Sequence, residues 1–112
     1  MKIAIPMMGN ELSMHFGHCE QFALVDADPE KKNVGEVTMH VPPPHEPGVL
    51  PRWLHELGAT VIIAGGMGMR AQQLFAQNGI DVVVGATALN AQQLAQNYLD
   101  GSLVTGQNAC DH

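Results

Sequence analysis

Thr60-Val61-Ile62-Ile63-Ala64 is a β-branched run with no polar face, and it runs directly into Gly65-Gly66-Met67-Gly68. Beyond the glycines, Ala71, Leu74, Phe75 and Asn78 fall in helical spacing, Gly79 stops the helix, and residues 80–84 read as a second buried strand. A strand, a helix and a strand in that order form a right-handed βαβ crossover, with two parallel strands that need cover on both faces. The chain is thereby committed to an α/β fold, and the other elements must complete the sheet or cover it.

Residues 2–6 form a short apolar strand that ends at Pro6-Met7-Met8-Gly9-Asn10. Residues 11–20 have no clean period. Phe22-Ala23-Leu24-Val25-Asp26 reads as a second strand, Asp28-Pro29 as a turn, and residues 34–41 as a loosely alternating third strand antiparallel to the second. A stiff Pro42-Pro43-Pro44-His45-Glu46-Pro47-Gly48 connector leads to a one-sided helix carrying Leu50, Trp53, Leu54 and Leu57, with Pro51 in its first turn and Gly58 as its stop. A last helix starts with Asn90 and Gln93 at capping-box spacing, presents Leu94, Ala95, Tyr98 and Leu99, and ends at Asp100-Gly101.

The expected order is β-β-β-α-β-α-β-α: a five-stranded mixed sheet, with strands one, four and five parallel and helices on its faces. Residues 1–101 make one domain and residues 102–112 a flexible tail. In sheets of this kind, ligands bind where loops leave the carboxyl ends of the parallel strands. Here those loops begin at Met7, Gly65 and Gly85.

The chain has 112 residues, 46% of them hydrophobic, which suffices for one core without disulfide or metal staples. A net charge of −6 with only five Lys and Arg residues argues against nucleic acid or an anionic membrane as partner. Any anion must then be held locally, by backbone N–H groups and one or two cationic side chains. The first residues lack the features of a signal peptide, no stretch is long enough to span a bilayer, and two cysteines are too few for a secreted scaffold, so a cytoplasmic location is expected. No nucleophile or carboxylate pair stands at recognisable spacing beside a base, so binding is expected and enzymatic turnover is not.

Two segments carry candidate chemistry. Met14-His15-Phe16-Gly17-His18-Cys19 places two imidazoles and a thiol close together, and His15, His18 and Cys19 are candidate ligands for zinc, copper or an iron-sulfur group. A closed zinc site takes about four ligands, so partly exposed histidines beside a structural Cys19 is the alternative. Gly65-Gly66-Met67-Gly68-Met69-Arg70 joins a buried strand to a helix start, a natural anion cradle, the alternative being a turn needed only for close packing. Its loose dinucleotide fingerprint lacks an acidic residue after the next strand, where Val84 and Gly85 stand. Met7, Met8, Met14, Met67 and Met69 lie in or beside the same loops, as soft thioethers or as gap fillers. Cys110-Asp111-His112 is a flap over a bound metal, a partner for Cys19 on oxidation through Cys110, or a free end, and His40, His45 and His55 carry no pattern.

Taken together, residues 2–6, His15-Phe16-Gly17, residues 22–26, Ala64-Gly65-Gly66-Met67-Gly68-Met69-Arg70-Ala71 and Val82-Val83-Val84-Gly85-Ala86 resemble the dinitrogenase iron-molybdenum cofactor-binding family. That family includes NifX, the C-terminal region of NifB and small stand-alone proteins such as the orange protein of sulfate reducers. The resemblance implies a ribonuclease H-like fold. It also implies that a molybdenum-containing metal-sulfur cluster is bound, carried or helped to assemble without hydrolytic activity. By the same resemblance His15, Phe16 and Gly17 and the turn formed by Gly65, Gly66, Met67, Gly68, Met69 and Arg70 contact the cluster, with Arg70 balancing its charge. His18-Cys19 departs from the commoner family pattern of an Arg and an apolar or small residue, which favours a copper- or sulfur-bridged cluster. Expected partners are cofactor-biosynthesis proteins or a cluster-assembly ATPase, and the alternative function is that of a regulatory or scaffold partner of such an ATPase. A small nucleotide-binding enzyme is the remaining reading.

Overall fold

The computed structural model describes residues 1–14, 19–44 and 48–106. Strand β1 (Lys2–Met8) is buried on both faces from Ile3 to Met7 and is the central strand. On one edge it pairs antiparallel with β3 (Gln21–Asp28), from Lys2↔Asp26 to Met7↔Gln21. On its other edge it pairs parallel with β5 (Ala59–Ile63), through Ile3↔Val61 and Ala4↔Ile62. Outward from these lie β4 (Asn33–His40), antiparallel to β3, and β6 (Asp81–Val83), parallel to β5, giving the order β4-β3-β1-β5-β6.

The sheet has six strands and not the expected five, because β2 (Glu11–Leu12) folds back onto the end of β1 through Met8↔Glu11 and Met7↔Leu12. Gly9, at φ 65°, supplies the left-handed residue that so tight a reversal needs. Two residues cannot display a period, so the strand left no trace in the pattern of residues 11–20. The other elements follow the expected order, and β1, β5 and β6 are parallel.

Alternation along the strands splits the core in two. Ile3, Ile5, Met7, Ala23, Val25, Val61 and Ile63 face α3 (Ala91–Asp100), whose Ala91, Leu94 and Ala95 close that side. Ala4, Phe22, Leu24, Ile62 and Ala64 face α1 (Val49–Glu56) and α2 (Met69–Gln77), meeting Leu50, Leu54, Met67 and Phe75. Helices on both faces of a mixed sheet make a three-layer α/β architecture. No helix among the described residues is long and apolar enough to cross a membrane.

Half of the expected capping box forms. The Asn90 Oδ1 accepts the Gln93 N–H at 2.8 Å, but the Gln93 side chain donates forward to Asn97 Oδ1 at 2.9 Å instead of returning to the cap. Nor does the chain leave the fold at Ser102, as expected. The Ser102 and Leu103 N–H groups donate to the Asn97 carbonyl, and Thr105 forms an antiparallel bridge with Ala86. The chain leaving the helix thus returns to the loop after β6, where the Gly85 carbonyl accepts the Gly106 N–H. Residues 107–112, with Cys110, Asp111 and His112, lie outside the described residues.

Asn90→Ala should cost about 1 kcal/mol in urea denaturation, the usual worth of an N-cap, whereas Gln93→Ala should cost clearly less because its side chain takes no part in the cap. Equal losses would show that the reciprocal box forms in solution.

Candidate functional site

The loops leaving β1, β5 and β6 meet at one rim and are bolted together through the backbone. From β1 the chain turns at Gly9, whose N–H donates to Glu20 Oε1 at 2.9 Å, and comes back as β2. The Leu12 N–H donates to the Leu89 carbonyl at 3.0 Å and the Ser13 N–H to the Pro6 carbonyl at 2.8 Å, which lays residues 12–14 across the end of the sheet. Met14 then sits on Gly65. A Cβ built on Gly65 would lie 3.0 Å from the Met14 Sδ and 3.1 Å from its Cα, so the two backbones approach as only glycine allows.

On its other side Gly65 meets the loop after β6. The Gly65 carbonyl accepts the Gly85 N–H at 3.0 Å, and the Ala64 carbonyl accepts the Ala86 N–H at 3.2 Å. The Gly85 carbonyl in turn accepts the Gly106 N–H at 2.6 Å. Four distant segments thus line up in the order 14, 65, 85, 106. Gly85 has φ 85°, and a Cβ there would fall on the Gly106 backbone, so this position excludes every other residue on two counts.

From Gly65 the bend passes through buried Gly66 and Met67 to exposed Gly68, Met69 and Arg70. Gly68 is the N-cap of α2 with φ −65° and ψ 156°, and no side chain caps the first turn, as is also true of α1. The Gln72 Nε2 donates to the Met67 carbonyl at 2.8 Å, so the bend is held from within the helix. No acidic residue occupies the first turn of α2, and the exposed Arg70 stands there instead. A cation at a helix N-terminus opposes the macrodipole by some tenths of a kcal/mol, a placement that becomes favourable when an anion bridges the two. Beyond its own chain neighbours, nothing lies within 4 Å of a Cβ built on Gly68, so no other part of the protein covers the bend there.

Of the candidate residues, Gly65, Gly66, Met67, Gly68, Met69 and Arg70 thus lie on one continuous bend. His15, Phe16, Gly17 and His18 lie outside the described residues. Both residues that border them are placed: Met14 against Gly65, and Cys19 packed on the apolar cluster that contains Ala64, Met67 and Phe22. Burial pushes the Cys19 thiol above its ordinary range, partly offset by a backbone hydrogen bond. At neutral pH it is therefore a thiol, and metal ligation would first have to release its proton. Among the described residues, no group of three His, Cys, Asp or Glu side chains is placed to hold a metal ion.

The methionines divide. Met7 and Met67, at 4% and 1% exposure, fill the two cores, whereas Met8, Met14 and Met69 stand 40–69% exposed at the rim. Three participants were not foreseen: Met14 as the residue seated on the bend, Gln72 as its internal brace, and Gly106 as the fourth backbone in the row. Only Gln72 carried a local signal, a polar side chain one turn after an uncapped glycine N-cap.

Fold and site define a three-layer α/β protein with a glycine bend and an uncapped helix start at the carboxyl rim of its parallel strands. The chain belongs to the dinitrogenase iron-molybdenum cofactor family, whose sequence profile matches residues 1–101. It is 31% identical over 106 residues to an uncharacterized protein of Methanocaldococcus jannaschii, a match covering 92% of this chain and 89% of that one. It superposes on the crystal structure of the protein PH0822 with a TM-score of 0.87 at 28% identity, over 100% of both chains. The apo form of the orange protein from Desulfovibrio gigas shares the fold, with a TM-score of 0.72 at 22% identity over 96% of this chain and 93% of that one.

Gly85→Ala should destabilise the protein by more than about 1 kcal/mol, through backbone strain and loss of the Gly106 contact, and should speed amide exchange at Gly106. Gly68→Ala, at a φ any residue adopts and with open space beside it, should leave stability within about 1 kcal/mol of the parent. Protected exchange at Gly106 in the Gly85→Ala variant would contradict this account of the rim.

Proposed function

We propose that this protein binds and carries an anionic molybdenum-containing metal-sulfur cluster at the rim formed by Met14, Gly65, Gly66, Met67, Gly68, Met69 and Arg70. The cluster is cargo: a molybdenum-copper sulfide or a species like the iron-molybdenum cofactor, handed on to cofactor-biosynthesis proteins in the cytoplasm without catalytic turnover. Family membership supports cofactor handling. The strand order β4-β3-β1-β5-β6, with only β3 and β4 antiparallel to the neighbour nearer the centre apart from the short β2, supports reading the fold as ribonuclease H-like.

The observation that carries the proposal is the bend itself. Exposed Gly68 admits a ligand to the backbone, and the first turn of α2 offers N–H groups that no side chain caps. Arg70 adds positive charge where an acidic residue would be the usual choice. In a protein of net charge −6, this is how an anion is held against the overall field. Exposed Met14 and Met69 provide soft, polarisable contacts for a sulfide surface. The half-buried Cys19 packs on the cluster that contains Met67, and His15, which follows Met14 in the sequence, is assigned a hydrogen bond or charge contact to the cargo.

Anaerobic protein mixed with tetrathiomolybdate and Cu(I) should take up both metals and develop visible charge-transfer absorption that remains with the protein on gel filtration. Arg70→Ala should weaken uptake by about tenfold, as loss of a charge-assisted contact does, and His15→Ala should weaken it as well. Failure to retain colour or metal, or full retention by both variants, would overturn the proposal.

A further inference from the structure

The sheet ends at β4, and among the described residues no strand continues beyond it. An exposed edge of eight residues is a template for pairing unless something blunts it. Its first half is blunted. The ladder with β3 slips between Val25↔Val37 and Ala27↔Val34, a bulge that sets Gly35 and Glu36 opposite Asp26, and Lys31 and Lys32 precede the strand. Beyond its far end Pro42-Pro43-Pro44 stops any ladder. Residues 37–40 between them keep a regular register with β3, and there Met39 is 44% exposed, with Val41 just past the strand 71% exposed.

The side chains of this stretch sort by face. Val37 and Met39 stand opposite Val25 and Ala23, on the side of α3, and Thr38 and His40 stand opposite Leu24 and Phe22, on the side of α1. Glu36, at the inner end of the bulge, stands opposite Asp26, which shares the face of Leu24, and so lies on the side of Thr38 and His40. The His40 ring is already oriented: it lies 6.4 Å from Trp53 in an edge arrangement, with Nε2 3.0 Å from the Thr38 hydroxyl.

We propose that the β4 edge is the docking surface for a second copy of this chain, paired antiparallel about a two-fold axis at Thr38. The occupant follows from self-complementarity. With Thr38 opposite its counterpart, Glu36 of each copy faces His40 of the other, and Val37 faces Met39. Carboxylate thus meets imidazole on one face, and apolar meets apolar on the other. A centre at Val37 or Met39 leaves Glu36 without His40, and a centre at Glu36 sets carboxylate against carboxylate. The pairing is short, bounded by the bulge and the prolines, so it closes into a weak dimer and does not propagate.

The His40 end of β4 lies at the binding rim, since Phe22 pairs with both His40 and Pro6. The two-fold reverses β4, which sends the two rims to opposite ends of the joined sheet. Both stay open, and the inference is independent of what the rim binds.

Sedimentation velocity on the full chain should show a reversible monomer-dimer equilibrium that populates dimer at millimolar but not at micromolar concentration. Glu36→Lys should weaken dimerisation at least tenfold, and the double variant Glu36→Lys, His40→Glu should restore it. In a background of Cys19→Ser and Cys110→Ser, Thr38→Cys should cross-link under oxidised glutathione far faster than Asn33→Cys, because only position 38 meets itself. A monomer at all concentrations, a dimer indifferent to Glu36→Lys, or equal cross-linking at positions 33 and 38 would overturn the proposal. The cross-linking arm stands even if the charge variants fail to fold.

Discussion

The close approach of Met14 to Gly65 is the constraint on which the rim depends. Without a Cβ at Gly65, the segment leaving β2 lies directly on the bend that leaves β5. On its other side the same bend accepts the Gly85 N–H, and Gly85 accepts Gly106. The links from Gly65 through Gly85 to Gly106 are backbone to backbone, whereas Met14 meets Gly65 through both its Cα and its thioether, so main-chain geometry sets most of the arrangement. Such a rim is stiff underneath and adaptable on top, which suits a ligand recognised by charge and shape.

Electrostatics and packing divide the work at this rim. The two cores bury Met7 and Met67 and hold the bend in place, while the exposed thioethers of Met8, Met14 and Met69 remain outside. Burial keeps Cys19 protonated, so that neutral thiol adds no negative charge close to the bend. The local positive potential comes from Arg70 and from uncapped N–H groups, small contributions that matter because solvent screens the net charge of −6 within about 8 Å at physiological salt.

Much of the fold was legible because periodicity and glycine stops agree. The run from Thr60 through Gly65-Gly66-Met67-Gly68 to Gly79 reads as strand, bend and helix on local grounds alone, and it forms β5 and α2. What escaped was either too short or too distant in sequence. Two-residue β2 has no period to display, and the docking of Thr105 on Ala86 depends on where α3 delivers the chain. Of the site, the bend was readable, but its contact with Met14 joins residues far apart in sequence. Met7 was read with the rim loop, but β1 runs on to Met8 and the alternation with Ile3 and Ile5 carries Met7 into the core, whereas nothing local separates buried Met67 from exposed Met69. Phe16 and Gly17 rest on the resemblance of their motif, His18 on its sequence grouping with His15 and Cys19, and His15 on both.

The account stands on the bend and the Met14 segment forming a single receiving surface. Nitrogen-15 correlation spectra of the labelled protein, recorded before and after anaerobic loading with thiomolybdate and Cu(I), test this most directly. The amides of Met14, Gly65, Gly66, Gly68, Met69 and Arg70 should shift or broaden together, while those of the turn between β3 and β4 stay fixed. Perturbation centred on that turn, at the opposite end of the sheet, would place the ligand elsewhere and contradict the account.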